Sequence, residues 1–165
     1  MKKIVLGGLE GRMGSFLVEA LKEEEDICLV AGISEKENFE GEVPIYSDIN
    51  QVVNEVNFDI YVDFTIYPFA KMACEVILKA KKAVIIGTTG FNKADLDYLK
   101  QIAKEYGGKG VIAPNFSIGA ILINKFTEIC SHYFDNFEIV EYHHVNKKDQ
   151  PSGTATYIAN TLDCA

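Results

Sequence analysis

No apolar run in the 165-residue sequence approaches the roughly 18–20 residues that a membrane span requires. The opening Met1-Lys2-Lys3 followed by Ile4-Val5-Leu6 has the charge order of a signal peptide, but Glu10 and Arg12 cut the apolar stretch short. A soluble, cytoplasmic protein is expected. Cysteine is sparse: Cys28, Cys74, Cys130 and Cys164 lie far apart, with no C-x-x-C pair and no Cys/His ligand spacing. Such residues are expected to be small buried apolar groups in a reducing compartment, with no structural zinc site. Positive charge is also short, 16 Lys+Arg against 24 Asp+Glu, for a net −8 with His neutral. That balance excludes general nucleic-acid or anionic-membrane binding, which rests on phosphate neutralisation by Lys and Arg. Any anionic ligand must be held by a local cluster of donors.

Internal repeats and low-complexity segments are absent too. What is present, 48% apolar and 24% charged residues, suits a domain with a buried core and a wet surface. Apolar strands alternate with helical patterns. Lys3–Leu6 reads as a strand, Gly11–Lys22 as a helix with Met13, Phe16, Leu17, Ala20 and Leu21 on one face, and Ile27–Ile33 as a second strand. Residues 34–47, with Pro44, read as a loop. Asp48 is placed to cap a short helix through Val56. Then come a strand at Asp59–Phe64, a helix at Pro68–Lys81 and a strand at Ala83–Ile86. Asn92, with Asp95 three positions on, opens a helix that Gly107-Gly108 stops. Gly110–Ala113 is a fifth strand, Ser117 caps a helix through about Tyr133, Phe137–His144 is a sixth strand, and Ser152 opens a last helix. This order implies right-handed β-α-β units and a parallel sheet, with a boundary near 115–120 where the alternation slows.

Gly8-Leu9-Glu10-Gly11-Arg12-Met13-Gly14 falls between the first strand and the first helix. Glycine there permits a tight turn and close approach of a pyrophosphate to helix amides. The spacing is G-x-x-G-x-x-G, with Glu10 where the stricter G-x-G-x-x-G has glycine. A tight turn without a ligand is the alternative. The ribose clamp expected at the end of the second strand falls at Ser34-Glu35-Lys36: Glu35 could accept from a ribose 2′-hydroxyl, while Lys36 or Arg12 could favour a 2′-phosphate. NADH and NADPH are not separated. Three more small-residue loops, Asp63-Phe64-Thr65, Gly87-Thr88-Thr89-Gly90 and Ala113-Pro114-Asn115-Phe116-Ser117, follow strands, where an open α/β sheet binds ligands.

The densest chemistry is Glu141-Tyr142-His143-His144-Val145-Asn146-Lys147-Lys148-Asp149-Gln150-Pro151-Ser152-Gly153-Thr154-Ala155. His and Lys donate to carboxylates, and Lys can deliver a proton to a nitrogen. Pro151 disfavours helix at Gln150. Ser152 can then cap a helix whose amides at Gly153 and Thr154 suit an anion. A dicarboxylate held by this helix end and the His/Lys run is the expectation; a solvated connection is the alternative. His143 and His144 are adjacent and face opposite sides if extended, which argues against a metal.

Taken in order, the glycine turn, Val62-Asp63-Phe64-Thr65, Gly87-Thr88-Thr89-Gly90, Ala113–Ser117 and Glu141–Ala155 resemble the motifs of the 4-hydroxy-tetrahydrodipicolinate reductase family of bacterial diaminopimelate and lysine biosynthesis, historically dihydrodipicolinate reductase. The resemblance implies an α/β fold: a Rossmann-like NAD(P)-binding domain with a parallel sheet over residues 1–116, then the start of a truncated α+β substrate-binding and oligomerisation domain over 117–165. It implies an oxidoreductase that transfers hydride from NADH or NADPH to a small cyclic imine-type dicarboxylate, as a homotetramer. By motif, His143 and Lys147 are the acid and proton-donor pair, and His144, Lys147, Gly153 and Thr154 hold the carboxylates. Gly8, Leu9, Glu10, Gly11, Arg12, Met13, Phe64, Gly87, Thr88, Thr89, Ala113, Pro114, Asn115 and Phe116 form the nucleotide site, with Ser34 and Glu35 at the ribose position. Ser34 stands where many relatives carry Asp or Glu. Two other readings stand beside this one: a catalytically impaired NAD(P)-binding fragment of the same family, and another Rossmann oxidoreductase, which leaves the His-His-to-Ser-Gly-Thr run unexplained.

Overall fold

A computed structural model of the chain describes residues 1–34, 42–113, 115–143, 145 and 150–163. They fall into two units, Met1–Pro114 and Asn115–Ala165. In the first, β1 (Lys2–Gly7), β2 (Ile27–Ile33), β3 (Ile45–Tyr46), β4 (Ile60–Asp63), β5 (Ala83–Ile86) and β6 (Lys109–Ile112) make one sheet. The strand order is β3-β2-β1-β4-β5-β6, and every neighbouring pair is parallel. Helices α1 (Arg12–Leu21), α2 (Ile49–Glu55), α3 (Phe69–Lys79) and α4 (Lys93–Tyr106) supply the connections.

Parallel strands need crossovers, and right-handed crossovers that step in opposite directions from the middle of a sheet put their helices on opposite faces. The side chains follow, because successive strand residues alternate between faces. Val5, Ala31, Ile33, Tyr61, Val84 and Ile86 pack with Ile49, Val52, Ala73, Ile77 and Leu99 of α2, α3 and α4. Ile4, Leu6 and Val62 pack the other way, with Leu17, Val18 and Leu21 of α1. Burial on both faces is why these strands read as apolar runs. The arrangement is a Rossmann-like α/β sheet.

The helix ends obey local chemistry. Asp48 caps α2 by accepting from the Asn50 amide at 2.8 Å. At α4 the Asn92 side chain accepts from the Asp95 amide at 2.9 Å and Asp95 accepts from the Asn92 amide at 3.1 Å, a reciprocal capping box. Gly107 closes the same helix in the left-handed region, φ 81°.

The second unit holds α5 (Ile118–Ser131) and α6 (Gly153–Asp163), which pack against each other. Ser117 caps α5, accepting from the Ala120 amide at 3.4 Å. No residue of α5 is fully buried. No described helix is long and apolar enough to cross a membrane.

Two sequence expectations need correction. The stretch 34–47 is not all loop, since Ile45 and Tyr46 pair with Gly32 and Ile33 as β3; two residues are too few to carry a period. Phe137–His144 is not a strand over its described residues 137–143. Strand backbone needs a ladder partner, and among the described residues of its unit no segment pairs with it. Phe137, Ile139 and Val140 stay exposed.

Candidate functional site

In the strand order, chain connections leave β1 and β4 in opposite directions, so a crevice opens beyond their carboxyl ends. Gly7, the last residue of β1, pairs with Asp63, the last of β4. Gly8 follows at φ 81°, and its amide donates to the Ile33 carbonyl at 3.0 Å. A Cβ on Gly8 would lie 2.6 Å from the Phe64 carbonyl oxygen, and one on buried Gly14 would collide with the carbonyl of Gly8. Glycine is therefore required twice for the first turn of α1 to lie against the β1 exit. Gly11 precedes that helix without any side-chain cap, and no acidic residue occupies its first turn. Helix amides left this way suit a pyrophosphate. The resulting cleft of about 190 Å³ is lined by Gly8, Glu10, Gly11, Ile33, Ser34, Phe64, Thr65, Ile66 and Phe69.

A buried carboxylate ties two of the strand-end loops together. Asp63 is fully buried. One oxygen accepts from the Thr65 amide at 3.0 Å, the Thr65 hydroxyl at 2.8 Å and the Thr88 hydroxyl at 2.6 Å. The other accepts from the Tyr61 hydroxyl at 2.5 Å. The loops also meet through backbone: Phe64 N–H donates to the Gly7 carbonyl at 3.0 Å and Gly87 N–H to the Asp63 carbonyl at 2.8 Å. Burial, reinforced by the Asp63 charge, pushes the Tyr61 hydroxyl well above the usual tyrosine range, so it stays a donor. Burial likewise pushes the Cys74 thiol to about 12, which leaves it protonated and unreactive at neutral pH. Tyr61 is not a site residue in the sequence reading, and Asp63 enters it only as part of a strand-end loop. A signal was there: one acidic residue ending the apolar strand Ile60-Tyr61-Val62-Asp63, since a carboxylate is rarely buried without partners.

The predicted nucleotide residues divide by position. Gly8, Glu10, Gly11, Ser34 and Phe64 come together on the cleft. Gly87 and buried Thr88 do not line it; Thr88 is linked to cleft-lining Thr65 through the shared Asp63 carboxylate, and Thr89 is exposed. Ala113 extends β6, its amide donating to the Ile86 carbonyl at 2.9 Å. Leu9 packs in the core with Ile4, Leu6 and Val62, so only its backbone is left for a ligand. Arg12 and Met13 are exposed at the start of α1. Glu35 and Pro114 lie outside the described residues.

In the second unit, Asn115 accepts from the Ser117 amide at 2.8 Å, and Phe116 is exposed. Ser152 is buried. Its hydroxyl accepts from the Ala155 amide at 3.1 Å and its carbonyl from the Thr156 amide at 2.9 Å, which starts α6. Gly153 and Thr154 are exposed in the first turn, and a Cβ on Gly153 would meet nothing within 4 Å. Glu141 fixes this helix start, accepting from the Ser152 amide at 2.9 Å, and its other oxygen lies 3.6 Å from His143 Nδ1. Glu141 thus anchors the helix start with His143 close by, a role the sequence reading does not assign. His144 and Lys147 lie outside the described residues.

Comparison with known proteins matches both halves of the chain. The model described as dihydrodipicolinate reductase, N-terminus, fits residues 2–116, and its C-terminus counterpart fits residues 119–164. A 4-hydroxy-tetrahydrodipicolinate reductase of Listeria innocua is 38% identical over 97% of this chain and 65% of its own length. One from Streptococcus thermophilus is 41% identical over 97% of this chain and 63% of its own. The structure of dipicolinate-bound dihydrodipicolinate reductase from Paenisporosarcina sp. TG-14 superposes with a TM-score of 0.87 at 31% identity, covering 98% of this chain and 65% of that one. The chain therefore spans somewhat under two thirds of the length of these relatives. With a parallel sheet carrying a glycine turn at its switch point, a capped helix at Ser152-Gly153-Thr154 and both family models matched in order, the chain belongs to the dihydrodipicolinate reductase family.

Proposed function

We propose that this chain takes part in the NAD(P)H-dependent reduction of 4-hydroxy-tetrahydrodipicolinate to tetrahydrodipicolinate, a step of diaminopimelate and lysine biosynthesis. Residues 1–116 serve as the nucleotide domain and 117–165 as part of the substrate domain. The observation that carries the reading is the pairing, in one family-matched chain, of a crevice shaped for a dinucleotide with the His143–Thr154 run.

The residues fit a nicotinamide nucleotide: Gly8 and Gly14 keep Cβ atoms out of the turn a pyrophosphate would approach, and α1 begins with uncapped amides. Gly8, Glu10, Gly11, Ser34, Phe64, Gly87, Thr88 and Ala113 would hold it, with Leu9 contributing backbone. Arg12, Met13, Glu35, Thr89, Pro114, Asn115 and Phe116 complete the proposed set. When bound, the reduced nicotinamide supplies hydride to the imine-type ring. Gly153, Thr154, His144 and Lys147 hold the two carboxylates, the first two by amides at the start of α6. Lys147 and His143 supply the matching proton, and the 4-hydroxyl leaves as water, so hydride and proton are balanced. Dipicolinate bound to the Paenisporosarcina relative supports a planar dicarboxylate as the ligand class. A cytoplasmic homotetramer is the assembly proposed with this activity.

Two measurements test the reading. Nicotinamide oxidation is expected on adding freshly generated hydroxy-tetrahydrodipicolinate. Lys147→Ala is expected to cut turnover about 10²-fold or more, in the range of a lost general acid, while leaving nucleotide affinity within about twofold. Equal losses in both would sink the proton-donor role.

A further inference from the structure

We propose that Glu10 is the carboxylate that takes the adenine-side ribose and makes the cleft select NADH over NADPH. The inference rests on the nucleotide-binding reading above and adds the residue that decides between the two cofactors.

When a dinucleotide lays its pyrophosphate on the glycine turn of a doubly wound sheet, its ribose meets the residue that follows the second strand. An acid there accepts from the 2′-hydroxyl, and a cation there accommodates a 2′-phosphate. In this chain β2 ends at Ile33, and the residue that follows is Ser34, which is neutral, short and only 4% exposed. The carboxylate arrives from the opposite wall instead. Ser34 Oγ donates to Glu10 Oε1 at 2.9 Å, so Glu10 reaches from the glycine turn to the end of β2. It stands at the turn position where the stricter dinucleotide pattern has no side chain.

The second oxygen of Glu10 is screened from solvent and has no hydrogen-bond partner among the described residues. A carboxylate oxygen withdrawn from water without a donor is costly, and a neutral hydroxyl relieves that cost. The last torsion of a glutamate side chain is soft, so a small turn of the carboxylate offers this oxygen to the cleft while Ser34 keeps the other. A ribose 2′-hydroxyl is such a donor. A 2′-phosphate is anionic at neutral pH and brings like charge with little to donate. Glu10 is also the one charged side chain among the described residues lining the cleft; Arg12 is exposed at the start of α1 and does not line it.

The test is calorimetric titration of the 165-residue chain with NADH and, separately, NADPH, on wild type, Glu10→Gln, Ser34→Ala and Glu35→Gln. Wild type is expected to bind NADH more tightly by about tenfold or more, and Glu10→Gln to shift the NADPH-to-NADH affinity ratio by about tenfold toward NADPH. Ser34→Ala is expected to move the ratio the same way by a smaller factor, about threefold, because it frees the carboxylate without removing it. A merely structural Glu10–Ser34 link would weaken both nucleotides together and leave the ratio unmoved. If Glu10→Gln loses the fold by circular dichroism, Ser34→Ala decides. Binding of both nucleotides with an unchanged ratio overturns the proposal alone, as does a shift confined to Glu35→Gln. Failure of wild type to bind either nucleotide overturns the nucleotide reading and this proposal with it.

Discussion

At the residue scale, the demanding position is Asp63. A carboxylate with no exposed surface survives only because four donors converge on it, from Tyr61, from Thr65 twice and from Thr88. Asp63→Asn keeps the shape but turns one acceptor into a donor that must face another donor. The expected cost is about 2–3 kcal/mol of stability, the size of losing charge-assisted bonds and stranding their partners. Chemical denaturation measures it, and a loss under about 0.5 kcal/mol would refute this account of the network. The sequence showed that Asp63-Phe64-Thr65 and Gly87-Thr88-Thr89-Gly90 share an end of the sheet. It did not show that one carboxylate joins them, because Thr88 lies 25 positions from Asp63 and only parallel register sets them side by side. Glu141 was missed for the same reason: its partner amide at Ser152 lies 11 positions away.

At the element scale, what was legible was whatever is written locally. Asp48, Asn92 with Asp95, Gly107 and Ser117 all end helices where side-chain and glycine chemistry said they would. β3 and the stretch 137–143 were misread because pairing, which is non-local, decides whether extended backbone becomes strand. One contact between elements also carries a pH signature. Lys71 on α3 donates to Asp95 on α4 at 2.5 Å, and this bond, then the Asn92 amide, holds the Asp95 carboxyl below its usual range. A lowered folded value means the contribution is complete above the ordinary aspartate pKa of about 3.9 and is lost as pH falls through the lowered one. The melting temperature is therefore expected to drop below about pH 4 in wild type. Asp95→Asn should melt lower near neutrality and show a shallower acid drop. Parallel acid limbs for the two proteins would remove Asp95 as the cause.

At the scale of the whole chain, the two units differ in what holds them. The first buries two apolar layers, one on each face of its sheet. In the second, α5 buries no residue completely and leaves Ile118, Ile121, Leu122, Ile123, Phe126 and Ile129 exposed. Local opening costs least where few apolar contacts must be broken. Native-state hydrogen exchange of the 165-residue chain is expected to find β1 and β4 amides slowest, with α5 amides exchanging faster by roughly a hundredfold or more. Equal protection in α5 and β1 would contradict it. The division into a sheet-bearing first part and a helical second part was readable from the slowing of the strand–helix alternation. The thinness of the second core was not, because periodicity reports which residues are apolar and not whether anything covers them.

Parallel order has a practical corollary for anyone who wishes to attach something to this molecule. Every strand of the sheet runs the same way, so the nucleotide-holding loops proposed for the first unit gather at one rim, and the opposite rim carries none of them. The returns into β2, β4, β5 and β6 all turn there, and at Gly107 a Cβ would meet nothing within 4 Å. A fluorophore, linker or surface tether inserted at that return sits a full strand length from the glycine turn. It gives a handle for reporting on the proposed nucleotide binding without occupying the crevice it reports on.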